Sequence, residues 1–203
     1  MKEFIENYSS RFVATLAEIK ATDKNGVLLS LEEAIQHCVT MLEALQLNHK
    51  KLMIIGNGGS AGIASHMSTD YIKNGKIRAM AFNDSSLLTC LSNDYSYEQV
   101  FEKAVEMHGD TGDLIYCISS SGKSANILNA AKSARDKGCN VITFSGFNHD
   151  NPLKQKGEIN FFVPSLSYGY VEILHLYLIH AILDTKLFCK EGIDIFDANK
   201  PIL

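Results

Sequence analysis

The sequence predicts an α/β fold: a three-layer, doubly wound sheet of mainly parallel strands, preceded by a helical hairpin. Short continuous apolar runs, such as residues 51–56, are typical of strands that are buried on both faces. Segments with a helical spacing of apolar residues alternate with these runs, which indicates a parallel sheet with helices on both sides. A length of 203 residues favours one domain with a sizeable core.

Residues 1–46 are predicted to form two helices within this same domain. The segment TDKNG interrupts the first helical pattern, and Ser30 with Glu33 gives a capping-box signature for the second helix. The two helices carry more apolar surface than a lone helical pair can hide. We therefore expect this hairpin to cover the rest of the domain or a partner chain, and so to serve oligomerisation.

Residues 47–190 are predicted to hold the alternating strands and helices, and the tail 191–203 is left undetermined. The predicted strands are 51–56, 77–82, 112–119, 140–146 and 159–164. The predicted helices are 60–73, 97–108, 123–138 and a strongly apolar last helix over 172–188, with a further short element over 85–93.

Composition narrows the class of function. A net charge of −4 argues against nucleic acid as the main partner. The five cysteines are scattered and form no Cys-x-x-Cys pair, so we expect a reducing cytoplasm rather than a disulfide framework or a zinc knuckle. The N-terminus has no apolar core of a signal peptide, and no run of 18 apolar residues suggests a membrane span.

A glycine-rich loop, GNGGS at residues 56–60, joins a predicted strand to a predicted helix. Its spacing, Gly56-x-Gly58-x-x-Ala61, matches the dinucleotide-binding fingerprint. That fingerprint also requires an acidic residue near the end of the second strand, and the nearest one, Asp84, comes late. Taken alone, the loop is compatible with a nicotinamide cofactor, a phosphorylated substrate or a turn that only packs.

A serine-rich loop, CISSSGKSAN, follows a buried strand and leads into a helix. Its hydroxyls, together with the free N–H groups of the helix start, can hold a phosphate monoester. A Walker P-loop is excluded because Cys117 stands where that motif needs glycine, five residues before Gly122. One serine would suffice to cap the helix, so four favour a ligand. Both loops follow strands of one sheet, which predicts a single site for a small phosphosugar and no nucleotide cofactor.

The segments GNGGSAGIASH, SNDYSYEQVF, GDLIYCISSSGKSANIL and ARDKGCNVITFSG, with a late EILHLYLIH, resemble the sugar isomerase (SIS) domain family. The resemblance extends to about residue 183 and is closest to the phosphoheptose isomerases. It implies an SIS-type, flavodoxin-like sheet and an enzyme that interconverts sedoheptulose 7-phosphate and D-glycero-D-manno-heptose 7-phosphate. It also implies a homotetramer with sites shared between subunits, and a divalent metal ion that is zinc in many members.

The resemblance implies which residues bind the substrate. Positions that match the family's substrate loop, sugar-contacting pair and phosphate loop are Asn57, Gly58, Gly59, Asn93, Asp94, Ser119, Ser120, Ser121 and Ser124. Ser60 is added from the glycine loop itself, where we expect the sugar hydroxyls to lie near Asn57 and Ser60.

The resemblance also implies a metal and proton-transfer group. His66 matches a metal-binding histidine, and His180 matches a catalytic, metal-binding histidine. Asp70 falls where the family has a glutamate that binds metal and transfers protons, and Glu172 falls where glutamine is usual. The implied metal ligands are therefore His66, Asp70, Glu172 and His180, and the implied catalytic residues are Asp70, Glu172 and His180.

Two departures from the family affect this assignment. Asp70 is one methylene shorter than glutamate, and the segment SYGYVEILH is one residue shorter and lacks an Asp-Arg pair. Glu172 and His180 are separated by about 12 Å of helical rise, a long span for two ligands of one ion. The helix could start after Glu172, one residue could act in a neighbouring subunit, or only one could be a ligand. His175, on the same helix, is assigned to packing.

Two other functions stay open at this point. A non-catalytic adaptor of the same fold could bind a bacterial replication initiator, and an isomerase or sensor could act on a different sugar phosphate. The joint presence of His66, Asp70, Glu172 and His180 favours an enzyme, because an adaptor has no reason to keep that set.

Overall fold

The computed structural model describes residues 1–197, so residues 198–203 of the tail lie outside the described part of the chain. The strands are β1 Lys20–Asp23, β2 Leu28–Leu29, β3 Lys51–Ile55, β4 Arg78–Ala81, β5 Leu114–Ser119, β6 Asn140–Gly146 and β7 Ile159–Val163. The α-helices are α1 Lys2–Ala17, α2 Leu31–Leu47, α3 Gly59–Lys73, α4 Ser85–Asp94, α5 Val100–His108, α6 Ala125–Asp136 and α7 Tyr168–Glu191. Short 3₁₀ helices span Tyr97–Gln99 and Pro152–Gln155.

The described strands form one sheet in the order β2-β1-β7-β6-β5-β3-β4. The strands from β7 to β4 pair in parallel, whereas β1 pairs antiparallel with both β7 and β2. The predicted α/β fold with a mainly parallel sheet is therefore confirmed.

Helices cover both faces of the sheet and give the three predicted layers. In β3, Leu52 and Ile54 belong to one buried cluster, which also contains residues of α2, α3 and α7. Met53 and Ile55 point to the other face, where residues of α5 and α6 surround them. Successive side chains of a strand face opposite sides, so a continuous apolar run is what a strand covered on both faces requires.

The N-terminal region differs from a simple pair of helices. The segment predicted to break the helical pattern forms the end of β1 and the turn of an antiparallel β1–β2 hairpin, which extends the sheet at one edge. Its turn contains Asn25 and Gly26, and Gly26 has a φ of +80°. Asn-Gly is a strong hairpin signal, but strands of four and two residues are too short to show a periodicity in the sequence. The capping box of Ser30 and Glu33 is present at the start of α2.

Helix α1 has no buried residue, and Phe4, Ile5 and Val13 are each more than half exposed. It is held to the start of α7 through Tyr170, whose hydroxyl donates to the Tyr8 carbonyl at 2.8 Å. The role of this helix in oligomerisation stays a prediction.

The last helix, α7, begins at Tyr168, four residues earlier than predicted. Glu172 and His180 therefore lie on one continuous helix, and the alternative in which the helix starts after Glu172 is wrong. Within residues 1–197, no helix is both long and apolar enough to cross a bilayer.

His175 lies in the core, as its assignment to packing predicted. It is 0% exposed, its Nε2 lies 3.1 Å from the Ser145 carbonyl oxygen, and its Nδ1 has no hydrogen-bond partner. The neutral ring fits this site when Nε2 carries the proton and donates it to Ser145. Burial is the main reason that the pKa of His175 is lowered from 6.5 to about 4.

We expect His175 to make the protein sensitive to acid. In the unfolded chain the imidazole binds a proton below about pH 6.5, whereas in the folded chain it does so only below about pH 4. Its contribution to stability is therefore fully present above pH 6.5 and is lost as the pH falls towards 4. The free energy of unfolding, measured with urea, should fall from pH 7 to pH 4.5 in both proteins. The fall should be about 2 kcal/mol smaller in His175→Gln than in the wild type. An equal drop in both proteins would contradict this expectation.

Candidate active site

A cavity of about 320 Å³ lies at the carboxyl ends of β3 and β5. Because β3 and β5 are parallel neighbours, the glycine loop after β3 and the serine loop after β5 meet at one edge of the sheet. The start of α7 closes a further side. The lining residues are Asn57, Gly58, Gly59, Ser60, Ile118, Ser119, Ser120, Ser121, Ser124, Tyr168 and Glu172.

The serine loop presents hydroxyl groups that helix capping does not use. Ser124 is the N-cap residue of α6, but its side chain accepts no hydrogen bond from the helix. Its Oγ instead lies 3.3 Å from Ser119 Oγ. The backbone N–H of Lys123 donates to Ser121 Oγ at 3.2 Å, which fixes that side chain. These hydroxyls, beside the amino end of α6, can surround an anionic group in the cavity.

Glu172 reaches the cavity from the first turns of α7 and lies against Gly59. A Cβ atom at position 59 would lie 2.5 Å from the carboxylate, so this approach depends on glycine. No residue in the described part of the chain forms a hydrogen bond or an ion pair with the Glu172 carboxylate. Its oxygens are therefore available to a ligand in the same cavity as the serine hydroxyls.

Asn57 is held by two residues that the sequence analysis missed. Its Nδ2 donates to Asn126 Oδ1 at 2.9 Å, and its Oδ1 accepts from Asn126 Nδ2 at 3.0 Å and from the Tyr97 hydroxyl at 2.9 Å. Tyr97 and Asn126 are 40 and 69 residues away in the chain. Their role is to fix the glycine loop relative to α6 and the segment after α4.

Asn93 and Asp94, the predicted sugar-contacting pair, do not line this cavity. They lie at the C-terminal end of α4, both exposed, and Asn93 Nδ2 donates to Asp94 Oδ1 at 3.0 Å. Within one chain, it is Tyr97, three residues further on, that reaches the glycine loop.

His66, Asp70 and His180 form a second cluster, made by α3 and α7. Asp70 Oδ2 lies 3.4 Å from His66 Nε2 and 3.9 Å from His180 Nε2. The centroids of the two imidazole rings are 5.5 Å apart. One ligand atom from each residue lies within 4.8 Å of the others. Two imidazoles and a carboxylate are a donor set suited to a divalent metal ion that keeps an open position, so the residues fit the predicted metal site.

Glu172 is not part of this cluster. The helix that carries both groups is continuous, so about 12 Å of rise separates Glu172 from His180. The four predicted metal ligands are therefore not brought together within one chain, and their joint binding of one ion stays a prediction. Three of them meet at α3 and α7, while the fourth faces the serine loop.

Asp184 adjoins the cluster and was not anticipated. It lies one turn after His180, and both line an apolar cavity of about 330 Å³ beside the cluster. Burial is the main reason that the pKa of Asp184 is raised; nearby Asp70 also raises this pKa, whereas His180 lowers it. The spacing of four residues on one helix was the signal in the sequence.

Comparisons with known proteins match both the sequence and the fold of this chain to phosphoheptose isomerases. Residues 7–146 match the family model of the SIS domain. The chain is 33% identical over 190 residues to a phosphoheptose isomerase of Citrifermentans bemidjiense, covering 86% of this chain and 98% of the relative. A phosphoheptose isomerase of Bradyrhizobium sp. is 35% identical over 91% of this chain and 93% of its own. The structure of the phosphoheptose isomerase from Neisseria gonorrhoeae superposes with a TM-score of 0.78 at 28% identity, covering 95% of this chain and 99% of that one.

Gly122 fixes the shape of the serine loop. It has a φ of +63°, and a Cβ atom there would overlap the side chain of Asn151. Asn151 is 1% exposed, and its Nδ2 donates to the Asn148 carbonyl at 2.9 Å, so it is not free to move aside. The N–H of Leu153 also donates to the Gly122 carbonyl at 3.2 Å. The segment around Asn151 thus holds the loop from behind.

We expect Gly122→Ala to lower the free energy of unfolding by about 2 kcal/mol or more, because it adds both backbone strain and overlap. Gly62→Ala is the matched control, since a Cβ atom at that helical position meets nothing within 4 Å. This control should be stabilising by up to about 1 kcal/mol. Urea unfolding of both variants checks the pair, and equal stabilities would contradict the predicted constraint on the loop.

Proposed function

This chain belongs to the SIS domain family, and on that premise we propose that it is a phosphosugar aldose–ketose isomerase. The proposed substrate is sedoheptulose 7-phosphate and the proposed product is D-glycero-D-manno-heptose 7-phosphate. One observation carries the proposal: serine hydroxyls and an unpaired carboxylate line the same cavity. A phosphate-binding group and a proton-accepting group are what such an isomerase needs.

The serine loop is proposed to bind the phosphate. Ser119, Ser121 and Ser124 would donate hydroxyl hydrogen bonds, and the amino end of α6 would add its N–H groups and its dipole. The observation that Ser124 does not cap α6 with its side chain supports this role.

Glu172 is proposed as the base that moves the carbon-bound proton. Isomerisation removes a proton beside the carbonyl and returns it to the neighbouring carbon through an enediol, while another proton moves between the two oxygens. Glu172 shares the cavity with the serine loop, whereas Asp70 lies with two imidazoles outside that lining. We assign the base to Glu172, whose carboxylate has no protein partner within the described residues, and a metal-ligand role to Asp70, which lies 3.4 Å from His66 Nε2 and 3.9 Å from His180 Nε2.

His66, Asp70 and His180 are proposed to hold a divalent metal ion, for which zinc is the best match to the donor set. When bound, such an ion polarises the carbonyl and hydroxyl oxygens of the sugar. His180 would orient the substrate oxygens and carry the proton that moves between them.

A homotetramer with shared sites is proposed because the cavity and the histidine cluster are separate in one chain. Phe4 and Ile5 on α1, and Ile173 and Tyr177 on α7, are exposed apolar residues that a second copy can cover. Such packing would let the cluster of one subunit face the cavity of another.

Conversion of sedoheptulose 7-phosphate, followed by NMR, tests the proposed reaction. Ser121→Ala should raise KM about tenfold or more, because it removes a hydrogen bond to a charged group. Ser86→Ala, an exposed serine outside the cavity, is the control and should keep the wild-type KM. If the protein converts only a different sugar phosphate, the proposed substrate is rejected. If it converts no sugar phosphate, the result favours a non-catalytic adaptor protein of the same fold. Wild-type KM in Ser119→Ala, Ser121→Ala and Ser124→Ala would reject the loop.

Mixed oligomers test the shared site. Glu172→Gln and His180→Ala should each abolish turnover, because each removes a group needed at every site. The two variants can be co-expressed with different tags and purified as mixed oligomers. These should recover up to about one quarter of wild-type activity, because about one quarter of the sites receive both an intact Glu172 and an intact His180. Mixed oligomers without activity, or a monomer in light scattering, would contradict shared sites.

A further inference from the structure

Two buried tyrosine hydroxyls lie in the core where α3, β5 and α7 meet. Tyr71 on α3 directly follows Asp70, and Tyr116 lies on β5, three residues before Ser119. Both tyrosines are 0% exposed, and their rings meet edge to face with centroids 5.9 Å apart. The Tyr71 hydroxyl lies 3.2 Å from the Ile179 carbonyl oxygen of α7 and 3.3 Å from the Tyr116 hydroxyl.

The direction of these hydrogen bonds follows from counting protons. A carbonyl oxygen can only accept, so Tyr71 uses its single hydroxyl proton to donate to Ile179. The contact between the two hydroxyls must then be donated by Tyr116. Tyr71 is therefore the member of the pair that joins the two helices, and Tyr116 supports it from the sheet.

This bond joins the neighbours of two cluster residues. Tyr71 is the residue after Asp70, and Ile179 is the residue before His180. Asp70 Oδ2 and His180 Nε2 are 3.9 Å apart, so a small slide of α7 along α3 would change how both can face one ion. Apolar packing alone tolerates such a slide, whereas a directional hydrogen bond in an apolar core does not.

We propose that Tyr71 is a positioning residue that sets the spacing of Asp70 and His180, and thereby the affinity of the cluster for a divalent cation. The proposal rests on the metal site of the proposed function but not on the identity of the sugar. Phenylalanine at position 71 would fill nearly the same volume but would remove the hydrogen bond to the Ile179 carbonyl that fixes α3 relative to α7.

Cobalt(II) titration of the metal-free protein, followed by visible absorbance, tests the proposal without any substrate. Tyr71→Phe should weaken Co²⁺ binding about tenfold, as expected when a group that orients a ligand is lost. Tyr116→Phe is the matched control, because it removes an oxygen from the same place but keeps the bond from Tyr71 to Ile179. It should bind Co²⁺ within about twofold of the wild type.

The double variant Tyr71→Phe/Tyr116→Phe separates positioning from stability. Tyr71→Phe leaves the Tyr116 hydroxyl buried without a partner, which lowers stability by itself. The double variant removes that penalty, so its thermal stability should rise above that of Tyr71→Phe while its Co²⁺ affinity stays low.

Three results would overturn the proposal: wild-type affinity in Tyr71→Phe, equal loss in Tyr116→Phe, or recovery of affinity in the double variant. Absence of Co²⁺ binding to the wild type would also overturn it, even if sedoheptulose 7-phosphate is converted. Conversely, the protein and its variants could show the expected Co²⁺ affinities while the wild type converts no sugar phosphate. That result would support the positioning role of Tyr71 and reject the proposed reaction.

Discussion

The parallel pairing of β3 with β5 is the constraint on which the candidate site depends. It brings the carboxyl ends of two buried strands side by side, so the loops that follow them must share one edge of the sheet. The glycine loop and the serine loop are about 60 residues apart in sequence, yet they line one cavity of about 320 Å³. Apolar side chains on both faces of these strands hold that pairing in the core.

The length of helix α7 between Glu172 and His180 places these two polar residues at separate sites. Glu172 lies near the start of the helix and can approach the glycine loop only because position 59 has no side chain. His180 lies two turns further along and meets Asp70 and His66 of α3 instead. A straight helix therefore gives one chain a cavity with a carboxylate and, separately, a histidine cluster. The need for a second subunit in the proposed function follows from this separation.

Polar side chains, all of them buried except the exposed Tyr97, position the site from behind. Asn151 supports Gly122 in the serine loop, Asn126 and Tyr97 hold Asn57, and Tyr71 ties α3 to α7. Such groups contribute little net stability compared with apolar burial, but each requires a particular partner at a particular place. They therefore fix the arrangement of loops and helices that apolar packing leaves adjustable.

The sequence by itself determined the fold class, the order of most strands and helices, and the two loops that line the cavity. These follow from local patterns: apolar runs, helical spacing and turn residues that act over a few neighbours. The β1–β2 hairpin was missed because its strands are too short to show a period. Only the tertiary structure decided that, within one chain, Glu172 lies apart from the histidine cluster and Asn93 and Asp94 lie outside the cavity. It also decided that Tyr97, Asn126 and Asp184 adjoin the polar groups. Those outcomes depend on the distances between separate helices and strands, which are set by how the elements pack and not by residue spacing along the chain.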